Sequence, residues 1–357
     1  MKVFVGCYTK KTIEDIVKKE KGIYCFDFDS IHGQLKLLEI IPALNPSYLT
    51  LSKDKKYLYA LEEIDLEESP KIKSFKINYD PENSHLKLIN EQEIDGSYPC
   101  HINTTSSQSH VLIACYMTGN MLVYPLGKEG RLLPSIQNCK HIGDGPNLER
   151  QEAAHAHMIY TFGKNELFVV DLGLDIAKAY KFSDTTKKFM ECPKMDISIT
   201  KGSGARHMVL HKNENYAFIF SELTSQLFSF KRNNQKFIPL ETLSSLPSDF
   251  KGTPSGATIR IHRNGKFIYV SNRGHDSIVL YHFNEETEKL VLLTSISSGG
   301  KTPREINIDP TGKWLLVANQ DSNNIVVFSI DQESGFLKRH SVNTESKSAN
   351  CIQFLDR

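Results

Sequence analysis

Short apolar runs rich in β-branched and aromatic residues recur along the chain, and none contains a proline. This pattern is typical of buried β-strands. The runs are KVFVGCY (2–8), KKYLYALEE (55–63), HVLIACYM (110–117), NELFVVDL (165–172), NYAFIFSE (215–222), KFIYVSNR (266–273) and KWLLVANQ (313–320). The residues equivalent to Arg273, which ends the sixth run, are Tyr8, Glu63, Tyr116, Leu172, Glu222 and Gln320. Their steps of 55, 53, 56, 50, 51 and 47 residues indicate a repeat architecture.

Further strands surround each of these runs. A polar turn followed by an apolar residue occurs in seven places, as in ESGFLK (333–338), and predicts a hairpin. Six of the apolar runs are preceded by another predicted strand and a turn that contains Lys, Asn, Asp or Gly, as in GATIRIHRNGKFIY (256–269). Each repeat therefore contains about four strands. A helical apolar period is indicated in TIEDIVKKEKG (12–22) and nowhere else.

Seven repeats of four strands predict an all-β, seven-bladed β-propeller with four-stranded blades. The segment NCIQFLD (350–356) is a first strand with no second strand after it, whereas KVFVGCY opens the chain with no first strand before it. We therefore expect the N- and C-terminal strands to close one blade together. No interdomain linker is evident, so a single domain is predicted over residues 1–357. Trp-Asp dipeptides are absent, so the sequence does not match the propeller repeats that carry this dipeptide.

Two insertions are long enough to shape one face of the propeller. They are EEIDLEESPK (62–71) and GDGPNLERQEAAHA (143–156).

Composition and charge limit the functional classes. Lys and Arg number 43 and Asp and Glu 42, so the chain lacks the positive field of a dedicated nucleic-acid binder. The apolar run at the N-terminus is too short for a signal sequence or a spanning helix, which predicts a cytoplasmic protein with no membrane partner. The seven cysteines form no C-x-x-C pair and are expected to be free thiols.

Several common catalytic motifs are absent. The chain has no G-x-S-x-G nucleophile elbow and no G-x-G-x-x-G after a strand. SSGGKTPRE ends like a phosphate loop, but Ser295 stands where the first glycine is needed and Pro303 blocks the expected helix. We interpret it as a loop that joins two blades.

The propeller axis is where candidate chemistry gathers. First strands begin and second strands end around the axial channel, so equivalent repeat positions meet there. At the start of the first strands these positions are Tyr48, His101, His157, His207, Thr258 and Glu305, with Arg206 and Arg304 directly before two of them. Glu222 and Arg273 end second strands. The set favours a site, although salt bridges between blades and histidines that satisfy buried backbone groups are the alternative interpretation.

A metal site is a weaker hypothesis. His155 and His157 alternate along a strand, so their side chains point to opposite faces and one of them faces the channel. We predict neither a metal ion nor a cofactor. His275, which follows Arg273 closely, is interpreted as part of a turn with Gly274 and Asp276.

The whole chain resembles a known family, the seven-bladed propeller lactonases. This family includes a bacterial type of 6-phosphogluconolactonase and a fungal enzyme that cyclises carboxymuconate to a lactone. The motifs that carry the resemblance are VGCYTK (5–10), HAHM (155–158), DLGLD (171–175), GARHMVLH (204–211), SNRGHDSI (271–278) and PREINIDPTGKWLLVANQDSNNI (303–325).

The resemblance implies a site as well as a fold. Its catalytic residues would be His157, Arg206, Glu222 and Arg273. Relative to the family pattern one residue is missing after His157, so His155 is the alternative for its role. The neighbouring polar residues expected to bind substrate are His155, His101, His207 and Arg304.

The implied activity is metal-independent hydrolysis of a sugar-phosphate lactone, with 6-phosphogluconolactone as the first candidate. His157 would be the general base, with Glu222 orienting or backing it. Arg206 and Arg273 suit a phosphate or carboxylate and the developing oxyanion. The partner is then a small anionic lactone or sugar phosphate, and the protein a monomer or weak homo-oligomer. Alternatives are cyclisation of a carboxymuconate-type diacid, a non-catalytic protein-binding propeller, and a calcium-dependent lactonase, which the histidine-rich channel disfavours.

Overall fold

The computed structural model describes residues 1–9, 22–80 and 83–356. Seven antiparallel sheets are arranged as the blades of a propeller. Apart from Gly22, the segment predicted as helical (12–22) lies outside the described residues. The helices of the described part of the chain are three short 3-10 turns, at Leu66–Glu68, Lys128–Gly130 and Pro193–Met195. None of them is long and apolar enough to cross a membrane.

The strands follow one another blade by blade. The chain opens with β1 (Lys2–Cys7), β2 (Gly22–Asp29) and β3 (Gln34–Pro42). Blade 1 contains β4 (Leu49–Leu51), β5 (Tyr57–Leu61), β6 (Lys71–Ile77) and β7 (Leu86–Glu93), and blade 2 contains β8 (Pro99–Thr104), β9 (His110–Cys115), β10 (Asn120–Pro125) and β11 (Gln137–Lys140). Blade 3 contains β12 (Ala156–Phe162), β13 (Glu166–Asp171), β14 (Ile176–Ser183) and β15 (Lys188–Glu191), with the short β16 (Ile197–Ser198) also paired to β14.

The second half of the ring has the same order. Blade 4 contains β17 (Ala205–Leu210), β18 (Tyr216–Ser221), β19 (Gln226–Asn233) and β20 (Lys236–Ser244). Blade 5 contains β21 (Gly256–Ile261), β22 (Phe267–Asn272), β23 (Ser277–Asn284) and β24 (Lys289–Ser297). Blade 6 contains β25 (Pro303–Ile308), β26 (Trp314–Asn319), β27 (Asn324–Ile330) and β28 (Leu337–Asn343), and β29 (Ala349–Leu355) is the last strand.

Blade 7 is built from both ends of the chain. Its strand order is β29, β1, β2, β3, and β29 pairs antiparallel with β1 from Lys2 opposite Leu355 to Gly6 opposite Cys351. The all-β, seven-bladed fold with four-stranded blades and a terminal closure is therefore confirmed. The closure pairs the inner edge of β1, and β29 becomes the innermost strand of blade 7.

The first strand of every blade lies innermost, and together these strands form a closed ring. Each of them contacts the next, in the order β4, β8, β12, β17, β21, β25, β29 and back to β4. Buried apolar side chains fill the spaces between blades in six clusters. One cluster, for example, joins Phe218 and Phe220 of blade 4 to Val270 and Tyr281 of blade 5. Stacked apolar faces of this kind hold neighbouring blades together.

Blade 2 departs from the predicted hairpin pattern. The residue taken to begin its outer strand, Leu132, forms an isolated bridge with Leu126 after the Lys128–Gly130 turn. The outer strand itself begins at Gln137. Leu132 is also buried in the cluster between blades, so this short hairpin packs its apolar residue although the outer strand begins further along the chain.

All seven cysteines are free thiols, as predicted, and five of them are buried.

The closure of blade 7 gives a test of the ring. Ile352 of β29 is fully buried in the cluster that joins blades 6 and 7. We expect Ile352→Ala to lower the free energy of unfolding by about 2–5 kcal/mol, because it leaves a cavity at the closure. Urea unfolding can be followed by far-UV circular dichroism and by the fluorescence of Trp314, whose Nε1 donates to Ser30 O of blade 7 at 2.8 Å.

The control is Val342→Ala, because Val342 lies on the outer strand β28 and is 40% exposed. We expect it to change the free energy by about 0.5 kcal/mol or less. We propose that residues 1–357 fold as one domain, for which both signals have the same midpoint. Separate midpoints would contradict folding as one domain. Equal effects of the two substitutions would contradict the contribution of Ile352 to the closure of blade 7.

Candidate active site

A β-bulge recurs at the same place on the innermost strands. In blade 4, Ala205 pairs with Ser221 and His207 pairs with Phe220, so Arg206 is an extra residue on β17. Blades 2, 3, 5, 6 and 7 have the same irregularity between their first two strands. Bulges re-aim side chains and are common beside active sites. The extra residues in blades 2, 3, 4, 6 and 7, which we call bulge residues, are Cys100, His157, Arg206, Arg304 and Asn350.

The bulge corrects one alignment made from the sequence. His157 was grouped with His101 and His207, but Ala156 pairs with Asp171 and Met158 pairs with Val170. His157 is therefore the bulge residue of its blade, in register with Arg206, and Met158 occupies the position of His101 and His207. The bulge is common to both blades, but Ala156 and Asp171 lie 15 positions apart whereas Ala205 and Ser221 lie 16 apart. The turn between β12 and β13 is therefore one residue shorter, which shifts an alignment made from the sequence.

Three of the bulge residues, Cys100, His157 and Arg304, and several residues that follow second strands surround a cavity of about 320 Å³. It is lined by Glu63, Tyr98, Cys100, Tyr116, Met117, Arg150, His157, Glu222, Arg273 and Arg304. A smaller chamber of about 10 Å³, roughly the size of one water molecule, shares four of these residues. The chamber is lined by Ser47, Tyr48, Glu63, Cys100, His157, Arg206, His207, Arg304, Glu305 and Asn350.

Glu222 binds three arginines. Its Oε2 accepts from Arg206 Nε at 2.9 Å and lies 2.8 Å from Arg273 Nη2. Its Oε1 accepts from Arg150 Nη2 at 2.5 Å. Arg206 and Glu222 are almost completely buried, whereas Arg150 is 43% exposed at the surface. The carboxylate therefore joins two buried guanidinium groups to a third that reaches the solvent.

Carbonyl groups of blade 5 orient the two buried arginines. Arg206 Nη1 donates to Ala257 O at 2.6 Å, and Arg273 Nη2 donates to Gly256 O at 2.9 Å. The backbone of Gly256 also donates to Glu222 O at 2.9 Å. A Cβ atom at this glycine would lie 2.1 Å from Ser221 O, so only glycine allows blades 4 and 5 to approach this closely here.

The arrangement fixes the charges of the cluster. Burial alone would raise the pKa of Glu222, but the charges of Arg273 and Arg206 hold this pKa well below its usual value. Burial, followed by the charge of Arg273, lowers the pKa of Arg206 to about 10. Burial also lowers the pKa of Arg273. All three groups remain ionised at neutral pH, so Glu222 acts as a permanent anion between cations.

His157 is the imidazole of the cavity, and it carries no charge at neutral pH. Burial, followed by the charge of Arg206, lowers its pKa well below the usual value for histidine. Its ring lies edge-on to those of Tyr116 and His207, with centroids 5.7 and 5.4 Å away. Within the described part of the chain, Nδ1 of His157 is buried and has no hydrogen-bond partner. A neutral imidazole with an unused nitrogen is suited to accept a proton.

A second hydrogen-bonded group stands on the cavity wall. Arg304 Nη2 donates to the hydroxyl of Tyr8 at 2.9 Å, and this hydroxyl donates to Glu63 Oε1 at 2.6 Å. The guanidinium group of Arg304 also lies 5.4 Å from the centroid of the Tyr8 ring. Glu63 therefore accepts a hydrogen bond from a neutral hydroxyl, whereas Glu222 accepts hydrogen bonds from charged guanidinium groups.

Other predicted channel residues form a buried network. Arg260 and Glu305 form an ion pair between blades 5 and 6, and burial raises the pKa of Glu305 to about 6 against the charge of Arg260. Arg260 Nη1 donates to Thr258 Oγ1, which bonds His207 Nδ1 at 3.1 Å. His207 Nε2 lies 3.3 Å from Arg206 Nη1. The network therefore extends to the arginines of the cavity.

The predicted site residues fall into three groups. Four line the cavity: His157, Glu222, Arg273 and Arg304. Arg206, which is bound to Glu222, and His207 line only the chamber. His101 and His155 line neither space.

His101 and His155 have separate environments. His101 is buried, and its ring centroid lies 4.2 Å from that of Tyr48. Burial, together with the charge of Arg260, lowers the pKa of His101 to about 3. His155 stacks on Tyr116 at 4.4 Å and lies 3.1 Å from Glu152 Oε1. Both His155 and His157 contact the ring of Tyr116, but of the two only His157 lines the cavity. His155 precedes β12 and His157 is a bulge residue, so the alternation expected along a regular strand does not describe them. Among the described residues, no three His, Cys, Asp or Glu side chains are grouped so as to hold a metal ion.

Arg150 was not predicted from the sequence. It lies in the insertion 143–156, which was expected to shape one face, and is the only arginine of that insertion. Tyr116 and Glu63 were marked by the repeat register but not assigned to the site. The interpretation of His275 is confirmed, because its Nδ1 bonds Ser277 Oγ at 2.7 Å within the turn after β22.

Comparison with known proteins identifies relatives along the whole chain. The family model for lactonases with a seven-bladed β-propeller matches residues 2–354. A 6-phosphogluconolactonase of Bacillus subtilis is 32% identical over 306 residues, covering 85% of this chain and 83% of that protein. A 6-phosphogluconolactonase of Formosa agariphila is 35% identical over 309 residues, covering 85% of this chain and 84% of that protein.

Solved structures share the fold. A protein from Lactobacillus plantarum is 28% identical with a TM-score of 0.89, and the match covers 99% of both chains. The periplasmic gluconolactonase of Pseudomonas aeruginosa is 24% identical with a TM-score of 0.89, covering 99% of this chain and 98% of that one. At this identity the second likeness concerns the fold alone.

The arginine cluster makes a prediction about stability. We expect Glu222→Gln to lower the free energy of unfolding at pH 7 by about 3–5 kcal/mol, because two buried guanidinium groups lose their counter-charge. The folded pKa of Glu222 is depressed, so its contribution is complete above the unfolded pKa of about 4.3 and is lost as the pH falls through the folded value. Urea unfolding at pH 7 and below pH 4 measures both effects.

The matched control is Glu91→Gln, which removes an exposed pair with Lys71. This change is expected to cost about 1 kcal/mol or less. If the two substitutions had equal effects at pH 7, Glu222 would not be the counter-charge of the cluster.

Proposed function

This chain belongs to the lactonase family of seven-bladed β-propellers, and we propose that it hydrolyses a small anionic lactone, with 6-phosphogluconolactone as the first candidate substrate. The observation that carries the proposal is the cluster of Glu222 and three arginines beside the neutral His157. The two relatives named 6-phosphogluconolactonase support the choice of substrate. Hydrolysis would yield 6-phosphogluconate, a step of the pentose phosphate pathway.

The charge of the cavity suits an anion. Four arginines, at positions 150, 206, 273 and 304, face the carboxylates of Glu63 and Glu222. The cavity therefore has an excess of positive charge at neutral pH. A phosphate monoester carries nearly two negative charges at pH 7, and planar guanidinium groups can bind its oxygens in pairs. Arg150 is exposed at the mouth, so we assign it to the phosphate end of the substrate.

His157 is the proposed general base. A water molecule attacks the carbonyl carbon of the lactone while the imidazole takes one of its protons. The tetrahedral intermediate then expels the ring oxygen, which receives that proton from the imidazolium, and the ring opens to the hydroxy acid. The imidazole must be neutral to begin this cycle, and its lowered pKa keeps it neutral at physiological pH.

The buried arginines are proposed to stabilise the oxyanion. Negative charge develops on the carbonyl oxygen when water attacks, and fixed donors at this position lower the barrier. Arg206 and Arg273 are held in place by Glu222 and by carbonyl groups of blade 5. Because both oxygens of Glu222 already bind arginines, we assign it to orienting these groups and not to proton transfer.

A second candidate reaction uses the same arginines. Several guanidinium groups around one cavity match the three carboxylates of a carboxymuconate as well as they match a phosphate. Cyclisation of this diene shortens its conjugation, so a fall in ultraviolet absorbance would reveal it.

Other features stay predictions. We propose that the reaction needs no metal ion or cofactor, and that the protein is a monomer or weak homo-oligomer with neither nucleic-acid nor membrane partners. A cytoplasmic location also stays a prediction, since one structural neighbour is named as periplasmic.

The first test is hydrolysis of 6-phosphogluconolactone by the purified protein at pH 6–7, measured against the spontaneous rate. We expect clear acceleration by the wild type and a loss of about 100- to 10,000-fold in kcat for His157→Ala, because the base is removed. The acid limb of the wild-type kcat/KM should lie below pH 6.5, the usual pKa of histidine.

His155→Ala is the matched control, because His155 lies two residues away and outside the cavity lining. It should retain most of the activity. If His155→Ala lost activity and His157→Ala kept it, the assignment of the base would be reversed, and no acceleration by the wild type would refute the proposed function.

The second test concerns Arg150. We expect Arg150→Ala to raise KM for 6-phosphogluconolactone by about 10-fold or more, because a charged hydrogen bond to the phosphate is lost. The kinetic constants for unphosphorylated gluconolactone should change little. Equal losses for both substrates would contradict a role in phosphate binding.

A further inference from the structure

The cavity contains two carboxylates, which differ in their hydrogen-bond partners. Both oxygens of Glu222 are bound by arginines. Glu63 also lines the cavity, but its Oε1 accepts from the neutral hydroxyl of Tyr8 at 2.6 Å. Glu63 is therefore the acidic group of this wall whose acceptor capacity is not taken up by cations.

Glu63 is held in place by its surroundings. Its backbone N–H donates to Asn45 O at 3.1 Å, and Asn45 Nδ2 donates back to Glu63 O at 3.1 Å. Its side chain is fixed through Tyr8, which Arg304 contacts in turn. The carboxylate is partly exposed, so a ligand in the cavity can reach it.

The remaining lining groups present mainly donors. Arginine side chains carry five N–H donors and no acceptor. They suit a phosphate or a carbonyl oxygen, but they leave the hydroxyl hydrogens of a sugar ring without a partner. An ionised carboxylate accepts such hydrogens at both oxygens, with stronger bonds than a neutral acceptor forms.

We propose that Glu63 determines specificity by accepting hydrogen bonds from the ring hydroxyls of the substrate, so that the site selects polyhydroxylated lactones over unsubstituted ones. The proposal rests on the lactonase function proposed above. It also favours a sugar lactone over a diacid, because a second carboxylate near Glu63 would be repelled. Arginines then bind one end of the substrate, and Glu63 accepts hydrogen bonds from its hydroxyl groups.

The neighbouring residue provides a matched control. Glu62 is a carboxylate in the same loop, but its Oε1 accepts from Lys73 Nζ at 2.5 Å and its Oε2 from Lys71 N at 3.2 Å. It does not line the cavity. Glu62→Gln therefore removes a charge from the same segment without touching the proposed subsite.

The experiment compares two lactones with the same six-membered ester ring. D-Glucono-δ-lactone carries ring hydroxyls and δ-valerolactone carries none. We expect Glu63→Gln to lower the ratio of their kcat/KM values by about 10- to 100-fold, because a charged acceptor is replaced by an amide that also donates. Glu62→Gln should leave this ratio unchanged.

The outcomes separate the two proposals. If the wild type accelerates neither lactone nor 6-phosphogluconolactone, the proposed function fails. If it accelerates them but Glu63→Gln keeps the ratio, or lowers both values equally, the inference about Glu63 is overturned and the function stands.

A measurement on the wild type covers the case in which Glu63→Gln does not fold. Gluconolactam and δ-valerolactam are ring analogues that resist hydrolysis, and their inhibition constants compare the same two rings. We expect gluconolactam to bind at least about 10-fold more tightly. Equal affinities would overturn the inference.

Discussion

The carboxylate of Glu222 is the interaction on which the site depends. A buried carboxylate normally costs folding free energy, and here it is balanced by Arg206 and Arg273 within the ring and by Arg150 from outside it. Blades 4 and 5 are thereby joined by charge as well as by apolar packing. The sequence left two interpretations open, one in which arginines and glutamates bridge blades and one in which they form an active site. Both interpretations describe the same contacts.

The fold and the centre of the site follow from one periodic signal. Apolar second strands recur about every fifty residues, and the residue after such a strand reaches the channel, which is how Glu222 and Arg273 were found. The same signal placed His157 one position out of register, because the turn between β12 and β13 is one residue shorter than the corresponding turn of blade 4. A period reports which strand a residue belongs to, whereas the bulge decides which way its side chain faces.

Residues outside the periodic pattern were harder to predict. Arg150 lies in an insertion that occurs in one blade only, so no equivalent position marked it. Its role depends on how the loop folds over the mouth of the cavity, which composition does not determine. Glu63 was in register, yet its difference from Glu222 arises from its partner, a tyrosine hydroxyl and not a guanidinium group. Such distinctions depend on side-chain packing between blades.

The pairing of β29 with β1 also bears on the order of folding during synthesis. β1 precedes all the other described strands along the chain, and its inner partner β29 follows them, so β29 is synthesised after β1–β28. Until then β1 has an unpaired edge, and the apolar side chains that β29 later covers are exposed. The nascent propeller therefore keeps the inner edge of β1 open to pairing with other chains until β29 has been synthesised.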